Sequence, residues 1–369
     1  KEAFETAKKR LVFEELFTLQ VALSVLKTKS HALSGCVIKK NCFSEFQKML
    51  PFELTVAQKR VVNECLCDMH SGRPMSRLVQ GDVGSGKTAV AAALCFVAAR
   101  NGYQSALMAP TEILAEQHYK TFCSILKNTG INCALLTGAL TQKQKTLAKN
   151  QLKNGEIDVI IGTHALIVND VGFNNLGLVI TDEQHRFGVA QRGKLAEKGK
   201  NPHTHVMSMT PIPQTLAYIL YGDLDISIID MYPKGRQKID TYCVDSTYRQ
   251  RIYNYIKKFL NQGRQGYIVC PLVEENEESD LTSATEYYED LSKNDFKDYS
   301  LGLLHGKMKP AEKEEVMQKF ARGEIQLLIS TTVIEVGIDV PNAVVMVIEN
   351  AERFGLSQLH QLRGRIGGG

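Results

Sequence analysis

Eight consecutive residues constrain this chain more than any other stretch: Gly81-Asp82-Val83-Gly84-Ser85-Gly86-Lys87-Thr88. They follow a short apolar run, Arg77 to Val79, and open an alanine-rich stretch, Ala89 to Arg100. The glycines at 81, 84 and 86 let the backbone bend tightly enough for successive N–H groups to close around phosphate oxygens. Lys87 is then placed to neutralise β- and γ-phosphates, and the Thr88 hydroxyl to hold Mg²⁺. A strand, a glycine loop and a helix in that order call for a parallel α/β sheet with the loop at a strand's carboxyl end.

The rest of the chain keeps the same rhythm. Residues 105–109, 133–136, 159–161, 178–181 and 206–209 read as buried strands, with helices at 112–127, 142–153 and 214–221. After a pause at 230–238, where Pro233 and Gly235 sit among polar residues, strands resume at 267–270, 301–304, 326–330 and 344–348, with helices near 249–260 and 310–321. Strand–helix alternation of this kind builds doubly wound parallel sheets. The chain of 369 residues exceeds one typical domain, and the pause places a lobe boundary near Pro233. The expected division is a linker helix and loop over 1–50, a first lobe over 51–232 and a second over 233–369. Val12, Leu16, Leu19, Leu23 and Leu26 recur at steps of four and three, so the opening helix should lie against something along one face. The acidic run Glu274 to Asp280 reads as a solvated loop. No internal sequence repeat is read, although two α/β lobes need not show one.

Composition excludes more than it selects. At 44% hydrophobic and 23% charged the chain can bury cores and is not a disordered sequence. Its apolar runs are far shorter than the ~20 residues that cross a bilayer, so no membrane span is expected. Nine cysteines without a C-x-x-C pair point to reduced thiols and a cytoplasmic setting. A net charge of +4 permits an anionic partner without demanding one. His203 and His205 sit at a loop-to-strand position with no third ligand evident nearby.

A second chemical signal is Asp182-Glu183-Gln184-His185, straight after the apolar run Gly177 to Thr181. A carboxylate there lies where ligands bind in such sheets. Asp182 would reach a metal through its water shell, and Glu183 would orient and deprotonate the water that attacks a γ-phosphate.

Taken in order, the segments 81–88, Ala109-Pro110-Thr111-Glu112, Thr137-Gly138, Gly162-Thr163-His164, 182–185, Thr210-Pro211-Ile212-Pro213, 330–339 and Gln361-Leu362-Arg363-Gly364-Arg365 resemble the motifs of superfamily 2 helicases. Their wording is most similar to the RecG family of branch-migrating DNA helicases, notably in Asp182 to Gly188 and Leu359 to Arg365. The resemblance covers nearly the whole chain. It implies two RecA-like lobes of the P-loop NTPase class with ATP and Mg²⁺ between them, acting on branched or duplex DNA in recombination and repair.

It also implies roles. Phe52, Leu54 and Gln58 resemble an adenine-recognition motif. Gly81, Gly84, Ser85, Gly86, Lys87 and Thr88 hold the phosphates, with Thr88 and Asp182 toward the metal. Gly337 and Asp339 reach the nucleotide from the second lobe, and Arg365 stabilises charge at the γ-phosphate. Gln184, His185 and Thr210 couple nucleotide state to lobe movement. Thr111, Thr137, Gly138, Thr163, His164 and Thr332 grip DNA phosphates without reading bases, as a motor on any sequence requires.

The same resemblance marks departures. Gly368 stands where a second arginine is usual, so hydrolysis is expected to be weakened. The wedge domain and C-terminal element of full-length RecG proteins do not fit within this chain, so a motor core cut from a longer protein is expected. The alternatives are a transcription–repair coupling translocase, which shares the Gly-Asp-Val-Gly and Arg-Phe-Gly wording, and a nucleotide-binding module impaired in hydrolysis. A phosphate-loop ATPase that moves something other than nucleic acid is a further one.

Overall fold

Leu107 and Met108 are neighbours on one strand, yet both are fully buried, and they belong to hydrophobic clusters on opposite faces of the sheet. A strand apolar on both sides needs helices over both sides, which is the signature of a parallel sheet. The computed structural model describes residues 2–31, 34–182, 189–208, 224–233, 239–271, 277–331 and 340–366. The chain divides into two compact units, Lys1–Pro233 and Lys234–Gly369.

The first unit runs α1 (Glu2–His31), α2 (Phe43–Met49), α3 (Val56–His70), β1 (Ser76–Gly81), α4 (Lys87–Arg100), β2 (Gln104–Met108), α5 (Glu112–Leu126), β3 (Cys133–Leu136), α6 (Gln142–Asn154), β4 (Val159–Gly162), β5 (Leu176–Asp182), α7 (Val189–Ala196), β6 (His203–Ser208) and β7 (Asp225–Ile229). Its seven strands are parallel and ordered β3-β4-β2-β5-β6-β1-β7. Helix α4 is buried from Lys87 to Ala98, save Thr88, because five alanines let neighbouring helices and the sheet approach its axis. The second unit runs α8 (Arg249–Leu260), β8 (Gln265–Val269), α9 (Glu277–Lys293), β9 (Leu301–Leu304), α10 (Pro310–Ala321), β10 (Leu327–Ser330), β11 (Ala343–Ile348) and α11 (Leu356–Arg363). Its described strands are parallel and ordered β11-β8-β10-β9.

The structure corrects the sequence reading in four places. Helix α1 forms, and Val12 and Leu16 of its apolar face are exposed, while the side chains of Leu19, Leu23 and Leu26, which complete that face, lie outside the described residues. Glu277 to Asp280 begin α9 rather than a loop, since negative charge in a first turn is favoured by the helix dipole; residues 274–276 lie outside the described residues. The edge strand β7 and helix α3 were not expected, and the predicted helix at 214–221 lies outside the described residues.

The fourth correction concerns repetition. The strand orders β3-β4-β2-β5 and β9-β10-β8-β11 are the same path. Aligned by that path, the sequence does repeat. Leu136-Thr137-Gly138 matches Leu304-His305-Gly306, and Gly155-Glu156-Ile157 matches Gly323-Glu324-Ile325 at the same spacing. Arg186-Phe187-Gly188 further matches Arg353-Phe354-Gly355. Side-chain bonding repeats too. Gln104, opening β2, donates to the carbonyls of Leu152 and Ile157 at 2.9 and 2.7 Å. Gln265, opening β8, donates to those of Phe320 and Ile325 at 2.6 and 2.7 Å. Lys145 donates to the Gly138 carbonyl and Lys313 to the Gly306 carbonyl, both at 2.6 Å.

Candidate functional site

The phosphate loop joins β1 to α4 and is braced from three directions. Lys87, 8% exposed, donates to the carbonyls of Gly81 and Asp82 at 2.6 and 2.9 Å. Tyr232 donates from its hydroxyl to the Asp82 carboxylate. Gln58 on α3 donates to the Ser85 carbonyl at 2.8 Å. Gly86 is the position where only glycine fits: φ is +85°, and a Cβ would stand 2.1 Å from Gln58 Nε2.

Gln58 is also half of a capping box. Its side-chain oxygen accepts the Thr55 amide at 2.8 Å, and Thr55 Oγ1 accepts the Gln58 amide at 3.2 Å. Both ends of the amide are therefore used inside the chain, and Gln58 is buried. It fastens the N-terminus of α3 to the phosphate loop, whereas the sequence pattern points it at a base. Leu54 is buried beside it, and Phe52 is 46% exposed.

Asp182 ends β5 and is 6% exposed. Its Oδ2 lies 2.7 Å from His118 Nε2, on the buried side of α5. A hydroxyl at Thr88 and a carboxylate at Asp182 are hard oxygen donors, the set that Mg²⁺ takes alongside waters and phosphate oxygens. Among the described residues no group of three or more His, Cys, Asp or Glu is placed to hold a metal, so an all-protein metal cage is not what this donor set forms.

The residues expected to grip DNA fall into two groups. Gly138 and His164 are exposed at the ends of β3 and β4. Thr137 and Thr163 are buried there, and the Thr163 hydroxyl has no hydrogen-bond partner among the described residues. Little of either threonine reaches the surface, so what these loops expose is chiefly Gly138 and His164. Thr111 caps α5, its Oγ1 accepting the Leu114 amide at 3.3 Å. Glu112 accepts the Ala139 amide at 3.0 Å and so ties this cap to the Gly138 loop.

In the second unit Arg365 is buried just beyond α11. Glu183, Gln184, His185, Thr210, Thr332, Gly337 and Asp339 lie outside the described residues, as does Gly368. His203 and His205 are buried in β6, and burial pushes both imidazoles down to about 4. His203 Nδ1 accepts the Met75 amide at 3.0 Å. All nine cysteines are free thiols, and among the described residues no helix is long and apolar enough to cross a membrane.

The motifs and the folded core both have counterparts in known proteins. The family described as DEAD/DEAH box helicase matches residues 55–218, and that described as helicase conserved C-terminal domain matches 249–368. An ATP-dependent DNA helicase RecG of Thermotoga maritima is 51% identical over 99% of this chain and 47% of its own length. One of Aquifex aeolicus is 53% identical over 97% of the chain and 46% of its own length. A solved structure of RecG bound to a three-way DNA junction shares 48% identity with a TM-score of 0.88, covering 99% of this chain and 48% of that one. This chain belongs to the RecG helicase family. It spans about half the length of the curated RecG relatives it matches. A yeast Dbp5 bound to RNA and ADP BeF3, at 16% identity and TM-score 0.60, shares the fold with this RecG-type chain.

Sequence reading missed His118, Gln104 and the bracing use of Gln58. The first had one available signal: it stands two turns beyond Thr111 on an amphipathic helix, on the face that packs inward.

Proposed function

We propose that this chain is the ATP-driven motor core of a RecG-type DNA helicase, moving along duplex or branched DNA in the cytoplasm. The observation that carries the reading is the braced phosphate loop ahead of α4, with the buried Asp182 carboxylate ending β5, two strands away from β1 in the same sheet.

In this reading Lys87 exchanges its two carbonyl partners for β- and γ-phosphate oxygens, and the loop amides complete the cradle. Phe52 offers the adenine an exposed aromatic face. Thr88 and Asp182 would hold Mg²⁺, which when bound neutralises phosphate charge. Glu183 takes the proton of the attacking water and Arg365 stabilises charge developing on the γ-phosphate. Thr111, Gly138, His164 and Thr332, with the backbone at Thr137 and Thr163, position the DNA strand; Gly337 and Asp339 contact the nucleotide from the second lobe, and Gln184, His185 and Thr210 link nucleotide state to lobe movement. Branch migration of four-way junctions and fork reversal belong to the longer protein, whose wedge domain and C-terminal element would supply junction recognition.

The test is ATP hydrolysis at fixed salt with no nucleic acid, single-stranded DNA, duplex, four-way junction and RNA. DNA-stimulated turnover that disappears in Lys87→Ala supports the motor. Turnover indifferent to DNA would overturn it. Recovery of turnover only in Gly368→Arg would make this chain a nucleotide-binding core impaired in hydrolysis.

A further inference from the structure

The bond between His118 and Asp182 has a counterpart in the second unit. There Glu349 occupies the position one residue beyond β11 that Asp182 occupies at the end of β5: Thr181 pairs with Met108, and Ile348 pairs with Val269, in the same sheet path. Helix α9 follows β8 as α5 follows β2, and from it Tyr287 donates to Glu349 Oε1 at 2.8 Å. Each lobe thus reaches from the helix that follows β2 or β8 to the carboxylate at the end of the strand paired with it. Arg249 donates to Glu349 Oε2 at 3.0 Å, so the second-lobe carboxylate is held by a phenol and neutralised by a guanidinium. On Asp182 the imidazole meets Oδ2, both side chains being about one-tenth exposed.

A buried carboxylate that must face a metal needs its rotamer fixed by a hydrogen-bonding neighbour. His118 meets that need. Its helix begins at the Thr111 cap, about two turns earlier, and Glu112 in that first turn is bonded to the Ala139 amide beside Gly138. Helix α5 therefore connects the loops proposed to meet DNA with the carboxylate proposed to meet Mg²⁺.

We propose that His118 is a positioning residue for Asp182: its Nε2 donates to Oδ2 and aims the carboxylate at the metal, so that the placement of α5 is read at the nucleotide site. The inference rests on the motor reading above for its DNA arm but not for its metal arm.

The experiment compares the whole chain with His118→Leu, which cannot donate, and His118→Gln, whose amide can. Binding of a fluorescent non-hydrolysable ATP analogue is titrated with Mg²⁺, ATP turnover is measured with and without duplex DNA, and thermal unfolding is followed. For His118→Leu the Mg²⁺ half-saturation should rise about 10- to 100-fold, the range for losing a group that orients a metal ligand. Its kcat should fall in the same range, while KM for ATP at saturating Mg²⁺ stays within about twofold, and stimulation by DNA should shrink. His118→Gln should recover most of both losses. An unchanged Mg²⁺ half-saturation in His118→Leu would overturn the proposal, as would equal losses in both variants that follow their melting temperatures. Should the parent chain bind the analogue but hydrolyse nothing, the motor reading fails, and the Mg²⁺ titration still decides for or against His118.

Discussion

The two lobes share a path and differ in what stands at the carboxyl ends of their strands. Each has a glutamine opening an equivalent strand, β2 or β8, a lysine reaching back to a glycine carbonyl, and a carboxylate held from a crossover helix. Only the first, among the described residues, adds β1, the phosphate loop and the buried helix α4. The glutamines and lysines are thus shared scaffold, while the phosphate loop belongs to the first unit's added part. A carboxylate at a strand end is no evidence of catalysis by itself: Glu349 has the position without the phosphate loop, and Arg249 answers its charge.

The largest effect that sharpens this contrast is at the loop. Lys87→Ala should reduce nucleotide turnover by about 10²-fold or more, and Gly86→Ala should weaken nucleotide binding, because a Cβ there collides with Gln58. Steady-state hydrolysis and fluorescent-nucleotide titration check both.

Next come the buried glutamines. Replacing Gln104 or Gln265 with leucine strands two carbonyls in either lobe, and each variant should lose about 2–4 kcal/mol in denaturant unfolding. A loss confined to Gln104 would break the equivalence of the lobes.

A smaller effect depends on pH. His203 and His205 are held near 4 when folded and return to their ordinary value near 6.5 when unfolded. Between those values the unfolded chain takes up protons that the folded chain refuses. Stability present above pH 6.5 is therefore lost as pH falls toward 4, by about 1.4 kcal/mol per pH unit for each histidine. Hydrogen exchange should show the first lobe opening more steeply with acid, and His205→Leu should flatten that slope.

The smallest effect concerns two matched helix ends. Gly155 and Gly323 both adopt a left-handed φ, +80° and +79°. Alanine at either should cost about 1–2 kcal/mol, read as a drop in melting temperature.

Much of this was legible from the sequence. Strands such as β3 and β9 and helices such as α8 and α10 are bounded as their apolar runs and proline or glycine signals indicate, and the phosphate loop announced its own strand and helix. What was hidden is non-local. His118 and Asp182 meet across sixty-four positions, and nothing near either one marks the other. Edge strand β7, Asp-Ile-Ser-Ile-Ile, is too short for its period to stand out. The repetition of the lobes was present in Arg186-Phe187-Gly188 and Arg353-Phe354-Gly355, but three residues gain meaning only once the sheet order aligns them. Burial of Thr137 and Thr163 was illegible because a threonine at a strand end serves equally as core or as contact.

The most direct test of the account is the pair Asp182→Asn and Glu349→Gln, assayed side by side for DNA-stimulated ATP turnover and for thermal unfolding. The account predicts that Asp182→Asn loses about 10²-fold or more in kcat with its fold intact, whereas Glu349→Gln keeps turnover within a few-fold and loses stability, since Arg249 is left without its partner. Comparable losses of turnover in both variants would contradict it, because the two strand-end carboxylates would then not differ in role.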